Sequence, residues 1–95
     1  MRESKVEAHL VAVIKALGGE IRKAKWIGHN GAPDRLVMLP GHREIWCELK
    51  APGLKAEAHQ EREHERMRSI GCTVVVLDTI EKIDSYFLQH KVPHG

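Results

Sequence analysis

The stretch Gly31-Ala32-Pro33-Asp34-Arg35-Leu36-Val37-Met38-Leu39-Pro40-Gly41-His42-Arg43-Glu44-Ile45-Trp46-Cys47-Glu48-Leu49-Lys50 reads as two strands joined by a tight turn. Leu36 to Leu39 is an apolar run opened by Asp34, Pro40-Gly41 is a turn signal, and Arg43-Glu44-Ile45-Trp46 begins the returning strand. Side chains alternate along a strand that rises about 3.3 Å per residue, so Glu48 and Lys50 share a face roughly 6 to 7 Å apart. Leu49 points the other way, into the core. Two registers are open. With a three-residue loop at Pro40-Gly41-His42, opposed residue numbers sum to 82 and Asp34 lies across from Glu48, both carboxylates on one face. With a two-residue loop at Pro40-Gly41, Cys47 faces Asp34 and Glu48 turns to the far side unless a bulge intervenes. Only the first register joins the two acids.

Two facing carboxylates repel unless a cation sits between them, and hard oxygen ligands suit Mg²⁺ or Mn²⁺. Such an ion acidifies a bound water and binds a phosphate oxygen. Lys50 would orient the nucleophile and offset charge gathering on the phosphorus centre. The chemistry implied is phosphodiester hydrolysis, with Asp34, Glu48 and Lys50 as catalytic residues. The plainer account is a hairpin with polar residues on a solvated face.

Gly31-Ala32-Pro33-Asp34, Glu48-Leu49-Lys50 and Gln60 together resemble the VRR-NUC (virus-type replication-repair nuclease) family of the PD-(D/E)xK nuclease superfamily, in its stand-alone phage or bacterial form. The resemblance runs from the first helix to the strand after Gly71. It implies an α/β, restriction-endonuclease-like core in the order α-β-β-β-α-β-α, with a mixed central sheet flanked by helices. It also implies Mg²⁺- or Mn²⁺-dependent cleavage of DNA. Carried over, Asp34 and Glu48 bind metal together with the Leu49 carbonyl, and Lys50 is the catalytic amine. A glutamate of the first helix, matched by Glu7, would join the site, reaching the metal directly or through water. A glutamine of the helix after the motif, matched by Gln60, completes the set.

Geometry bears on both added residues. Val6, Leu10, Val13, Ile14 and Leu17 recur at helical spacing, and Glu7 lies at the margin of that stripe, where it could lean over the sheet edge. Ser4-Lys5-Val6-Glu7 is equally an S-x-x-E capping box, in which Glu7 merely closes the helix start. Glu3 is a weaker substitute lying before the cap. The second helix is polar, with an inward line traced through Gln60, His64, Met67 and Ile70 or Gly71. An amide at the top of that line either bonds a hydrated cation or phosphate, or rests in solvent at a helix end.

The remaining chain reads as a helix from Glu3 or Ser4 to Leu17 stopped by Gly18-Gly19, a strand from Glu20 to Trp26, and a loop from Ile27 to Ala32. After the hairpin come a break at Ala51-Pro52-Gly53, a helix from Lys55 or Ala56 to Ile70, and an apolar strand Thr73 to Leu77 suited to a central position. A capped helix runs from Thr79 to about His90, and the tail Val92-Pro93-His94-Gly95 frays.

The 95 residues, 42% hydrophobic and 29% charged, with no signal-peptide pattern or membrane-length apolar run, imply a single intracellular domain over 1–95, and the resemblance implies the cytoplasm of a bacterial or phage-infected host cell. Cys47 and Cys72 read as buried reduced thiols. A domain of this size hides only about two-thirds of its unfolded surface, so a homodimer would add useful burial. Paired sites would suit branched DNA such as a four-way junction. A flap-type or nicking nuclease, and a catalytically weak DNA-binding or assembly module, are the alternatives. With a net charge of only +2, attraction to nucleic acid must be local. Lys25, Arg35, Lys55 and Arg62 head the candidate phosphate contacts, although each also reads as a solvated charge. Seven histidines invite zinc, but His59 and His64 are five apart and no C-x-x-C occurs, so a zinc site is not indicated.

Overall fold

The computed structural model describes residues 2–41 and 43–88. Helical spacing of apolar residues builds α1 (Glu3–Ala16), which buries Val6, Leu10, Val13 and Ile14, with Leu17 partly buried against the same core. The helix start differs from the sequence expectation. Arg2 is the N-cap and Glu3 the first helical residue, and no side-chain cap forms. Ser4 and Glu7 therefore make no capping box, because Glu7 is drawn sideways to a buried arginine. Gly18 ends the helix at a φ of 81°, a conformation that strains side chains other than glycine.

β1 (Glu20–Lys23), β2 (Arg35–Leu39) and β3 (Arg43–Leu49) form an antiparallel meander. α2 (Ala58–Ser69) then crosses over to β4 (Val74–Leu77), which pairs parallel with β3, and α3 (Ile80–Leu88) closes the described chain. The sheet is mixed, in the order β1-β2-β3-β4, and the elements follow α-β-β-β-α-β-α as expected.

Alternation along β3 divides the interior. Ile45, Cys47 and Leu49 join Val37, Leu77, Ile83 and Phe87 in the core beneath α1 and α3. Trp46 and Glu48 project to the opposite face, where α2 lies with His64 and Met67 buried. Two helices on one face and one on the other leave β3 covered on both sides.

Several boundaries move. β1 stops at Lys23 rather than Trp26: Ala24 N–H still donates to the Asp34 carbonyl at 2.9 Å, but the chain then leaves the sheet so that Trp26 can pack on Trp46 at 4.9 Å. α2 starts at Ala58, later than Lys55 or Ala56, because Gly53 N–H is tied to Asp78 Oδ2 at 3.1 Å and Glu57 caps the helix. Ile70, placed on the inward line, is 82% exposed, whereas Glu63 is buried. β4 is an edge strand rather than a central one. Its apolar character comes from cover on both faces, not from strands on both sides. Cys72 is half-buried rather than buried. α3 begins with Thr79 Oγ1 accepting from Lys82 N–H at 3.0 Å, and is described to Leu88. The expected extension to His90 and the tail from Val92 lie outside the described residues.

The topology gathers chemistry at one end. The start of β2, the ends of β3 and β4 and the start of α2 share one edge of the sheet, and the start of α1 faces the same way.

Candidate active site

The hairpin adopts the register in which opposed numbers sum to 82: Arg35 faces Cys47, and Leu39 faces Arg43 across the turn. Asp34, one residue before β2, thereby stands across from Glu48. Its approach is fixed by small, specific contacts. Pro33 is fully buried and its carbonyl accepts from Trp26 Nε1 at 2.8 Å. Gly31 has a φ of 87°, and a Cβ there would stand 2.8 Å from the His59 carbonyl oxygen and 3.0 Å from Gln60 Cα. Only glycine lets this loop lie against the first turn of α2.

Glu48 is 7% exposed. Burial, and then the charge of Asp34, push its carboxyl up to about 7 from an ordinary 4.5, with the Lys50 ammonium pulling the other way. The charge of Glu3 adds to the upward push. One oxygen, Oε2, has Lys50 Nζ at 4.0 Å and accepts from Gln60 Nε2 at 3.3 Å. The other, Oε1, faces His64 Nε2 at 3.8 Å, too far for a hydrogen bond. Glu48 Oε1, His64 Nε2 and Asp34 Oδ1 are all buried without a hydrogen-bond partner among the described residues.

Gln60 owes its orientation to its place in the helix. As third residue of α2 it forms a capping box with Glu57, its Oε1 accepting from Glu57 N–H at 2.8 Å. That bond turns the amide nitrogen toward Glu48. Gln60 thus lies at the helix end, as one sequence reading had it, but bonded to Glu57 and Glu48 rather than to solvent.

Glu7 leans toward Arg35 rather than closing a capping box. Its Oε2 accepts from Arg35 Nε at 2.7 Å and pairs with Arg35 Nη2 at 2.6 Å, while Arg35 Nη1 reaches Asp34 Oδ2 at 2.9 Å. The chain Glu7, Arg35, Asp34 links α1 to the site. Arg35 is consequently buried and committed to two carboxylates, which removes it from the candidate phosphate contacts. Lys25, Lys55 and Arg62 are exposed.

Hard oxygen donors are available for a cation in the two carboxylates and the adjoining backbone, and the unpartnered oxygens of Asp34 and Glu48 fit a divalent ion. Among the described residues no group of three or more His, Cys, Asp or Glu side chains converges as a metal cluster. A cation here would therefore rest on two carboxylates completed by backbone and water. Burial and the nearby Arg68 hold the His64 imidazole below its ordinary value.

Sequence reasoning placed His64 on the inward line of α2 without assigning it to the site, although its spacing of four residues from Gln60 puts both on one face. It also missed Glu63, which bonds Arg66 at 2.6 Å and lies 3.8 Å from His29. No periodicity distinguishes Glu63 from the exposed glutamates around it.

No family model matches the chain. In sequence it is 44% identical over 79 residues to "Putative nuclease p44" of Acyrthosiphon pisum secondary endosymbiont phage 1, spanning 83% of this chain and 85% of that protein. In structure it superposes on a solved VRR_NUC domain with a TM-score of 0.84 and 36% identity, covering 95% of this chain and 97% of that one. A mixed sheet flanked by helices, with paired acids and a lysine at one strand edge, defines the restriction-endonuclease-like nuclease class. Within that class, the chain belongs to the VRR-NUC family. Among the described residues no helix is long and apolar enough to cross a membrane.

Proposed function

We propose that this chain is a divalent-metal-dependent nuclease that hydrolyses DNA phosphodiesters, with Asp34, Glu48 and the Leu49 carbonyl holding Mg²⁺ or Mn²⁺. The observation that carries the reading is the pair of buried, partnerless oxygens on Asp34 and Glu48, whose mutual repulsion a cation would relieve. When bound, the cation supplies Lewis-acid stabilisation of a phosphate oxygen. Lys50, on the same strand face as Glu48, orients the nucleophile and offsets negative charge at phosphorus. Gln60 holds Glu48 and offers a donor toward the substrate side. Glu7 acts through Arg35, whose guanidinium orients Asp34 Oδ2 and leaves Oδ1 for the site. Lys25, Lys55 and Arg62 supply exposed charge for the DNA backbone.

The same reading extends to a homodimer acting on branched DNA in the cytoplasm of a bacterial or phage-infected cell. Ile27 and Ile70, 93% and 82% exposed, offer apolar surface for a second copy, and one site cuts one strand. The test incubates labelled linear, flap and four-way-junction DNA with Mg²⁺ or Mn²⁺, beside Glu48→Ala and Lys50→Ala controls. Metal-dependent cutting lost in both variants is the expected result. DNA binding without cutting at any metal concentration overturns the nuclease reading, and a monomeric mass in solution removes the homodimer.

A further inference from the structure

We infer that His64 is a positioning residue for Glu48, its Nε2–H holding the carboxylate oxygen that Gln60 leaves free. The inference rests on the proposed metal site and concerns a residue outside the motif. Three observations carry it. His64 is 1% exposed, so bulk water does not serve its ring nitrogen. Its Nε2 and Glu48 Oε1 are both buried without a hydrogen-bond partner among the described residues, and they face each other at 3.8 Å. Gln60 and His64 are one turn apart on α2, so a single helix face addresses both oxygens of one carboxylate: Gln60 at Oε2, His64 at Oε1.

A side-chain rotation of under about 1 Å brings the pair to hydrogen-bond distance. A neutral imidazole protonated on Nε2 donates to Oε1, and the carboxylate accepts. With both oxygens held from behind, the remaining lone pairs of Glu48 are aimed toward Asp34 rather than free to swing. Groups that orient a metal-binding carboxylate in this way typically change metal affinity or activity about 10- to 100-fold when removed.

The test compares wild type with His64→Leu, which keeps bulk and loses the donor, and His64→Gln, which restores an N–H near the Nε2 position. Calorimetric Mn²⁺ titration is read beside kcat and KM on DNA. The inference expects His64→Leu to weaken Mn²⁺ binding about 10-fold or more and to lower kcat with little change in KM. His64→Gln should recover most of both. Leucine binding Mn²⁺ as wild type does, or glutamine as weakly as leucine, overturns it. Should His64→Leu not fold, ¹⁵N NMR of the wild-type ring without metal at about pH 8, where Glu48 is a carboxylate, decides. A proton on Nε2 is required, and a ring protonated only on Nδ1 overturns the assignment. Wild type binding Mn²⁺ no better than Glu48→Gln would instead defeat the metal site itself, leaving the ring measurement to judge His64 alone.

Discussion

Replacing Glu48 by glutamine should stabilise the metal-free protein at alkaline pH while removing a ligand of the proposed metal site. Glu48 is buried beside Asp34, and its carboxyl is pushed up to about 7 from an ordinary 4.5, by burial first and by Asp34 second. The native state therefore binds this proton more tightly than the unfolded chain does. The favourable contribution is complete below about pH 4.5 and is lost as pH rises through about 7. At about 1.4 kcal/mol per pH unit, the gap between 4.5 and about 7 corresponds to about 3 kcal/mol by pH 8. Glutamine has nearly the same shape and carries no charge to desolvate; its oxygen accepts from Gln60, and its amide N–H meets His64 Nε2 once the ring moves its proton to Nδ1. Urea denaturation in a chelator should show Glu48→Gln more stable than wild type by about 2 to 3 kcal/mol at pH 8, and nearly equal to it at pH 5. Added Mn²⁺ should stabilise wild type alone, because only a protein with a native-state site gains from the ligand. A gain independent of pH, or a variant less stable than wild type at pH 8, would refute the claim that this carboxylate is held in an unfavourable field.

Other consequences follow from single contacts. Glu7→Gln removes the principal partner of buried Arg35 and should lower stability by about 1 to 3 kcal/mol in urea melts, discounted because Glu7 is itself partly exposed. Its activity loss should track disordering of Asp34, seen as weaker Mn²⁺ binding with DNA binding unchanged. Gly31→Ala places a Cβ within 2.8 Å of the His59 carbonyl at a positive φ, and should cost about 1 to 3 kcal/mol while separating Gln60 from Glu48. Wild-type stability in that position would contradict the close packing of loop and helix. Burial pushes the Cys47 thiol up to about 12, so an aromatic disulfide reagent at pH 8 should titrate Cys72 well before Cys47. Equal rates would show that the sheet interior opens freely.

How much of this was legible depends on whether the deciding force is local. The Val6-Leu10-Val13-Ile14 stripe, the Pro40-Gly41 turn and the alternation around Glu48 are chain-local patterns, and each produced the element that its spacing predicts. Gln60 was legible as the top of the inward line of α2, but the cap with Glu57 that turns its amide toward Glu48 was not. Where two local readings competed, the sequence stayed silent. The hairpin register had two self-consistent solutions, and Ser4-Lys5-Val6-Glu7 had a local cap that lost to a partner 28 residues away.

By itself the sequence determined which segments become helix and strand, and that two acids and a lysine would fall at strand ends, because periodicity and turn chemistry act over a few residues. Only the tertiary structure decided that Arg35 sits between Glu7 and Asp34, that His64 faces Glu48, and that β4 is an edge strand covered on both faces. Those outcomes depend on which charges are left without water when α1 and α2 close over opposite faces of the sheet. Desolvation and pairing across the sheet are properties of the assembled interior, and no stretch of chain carries them alone.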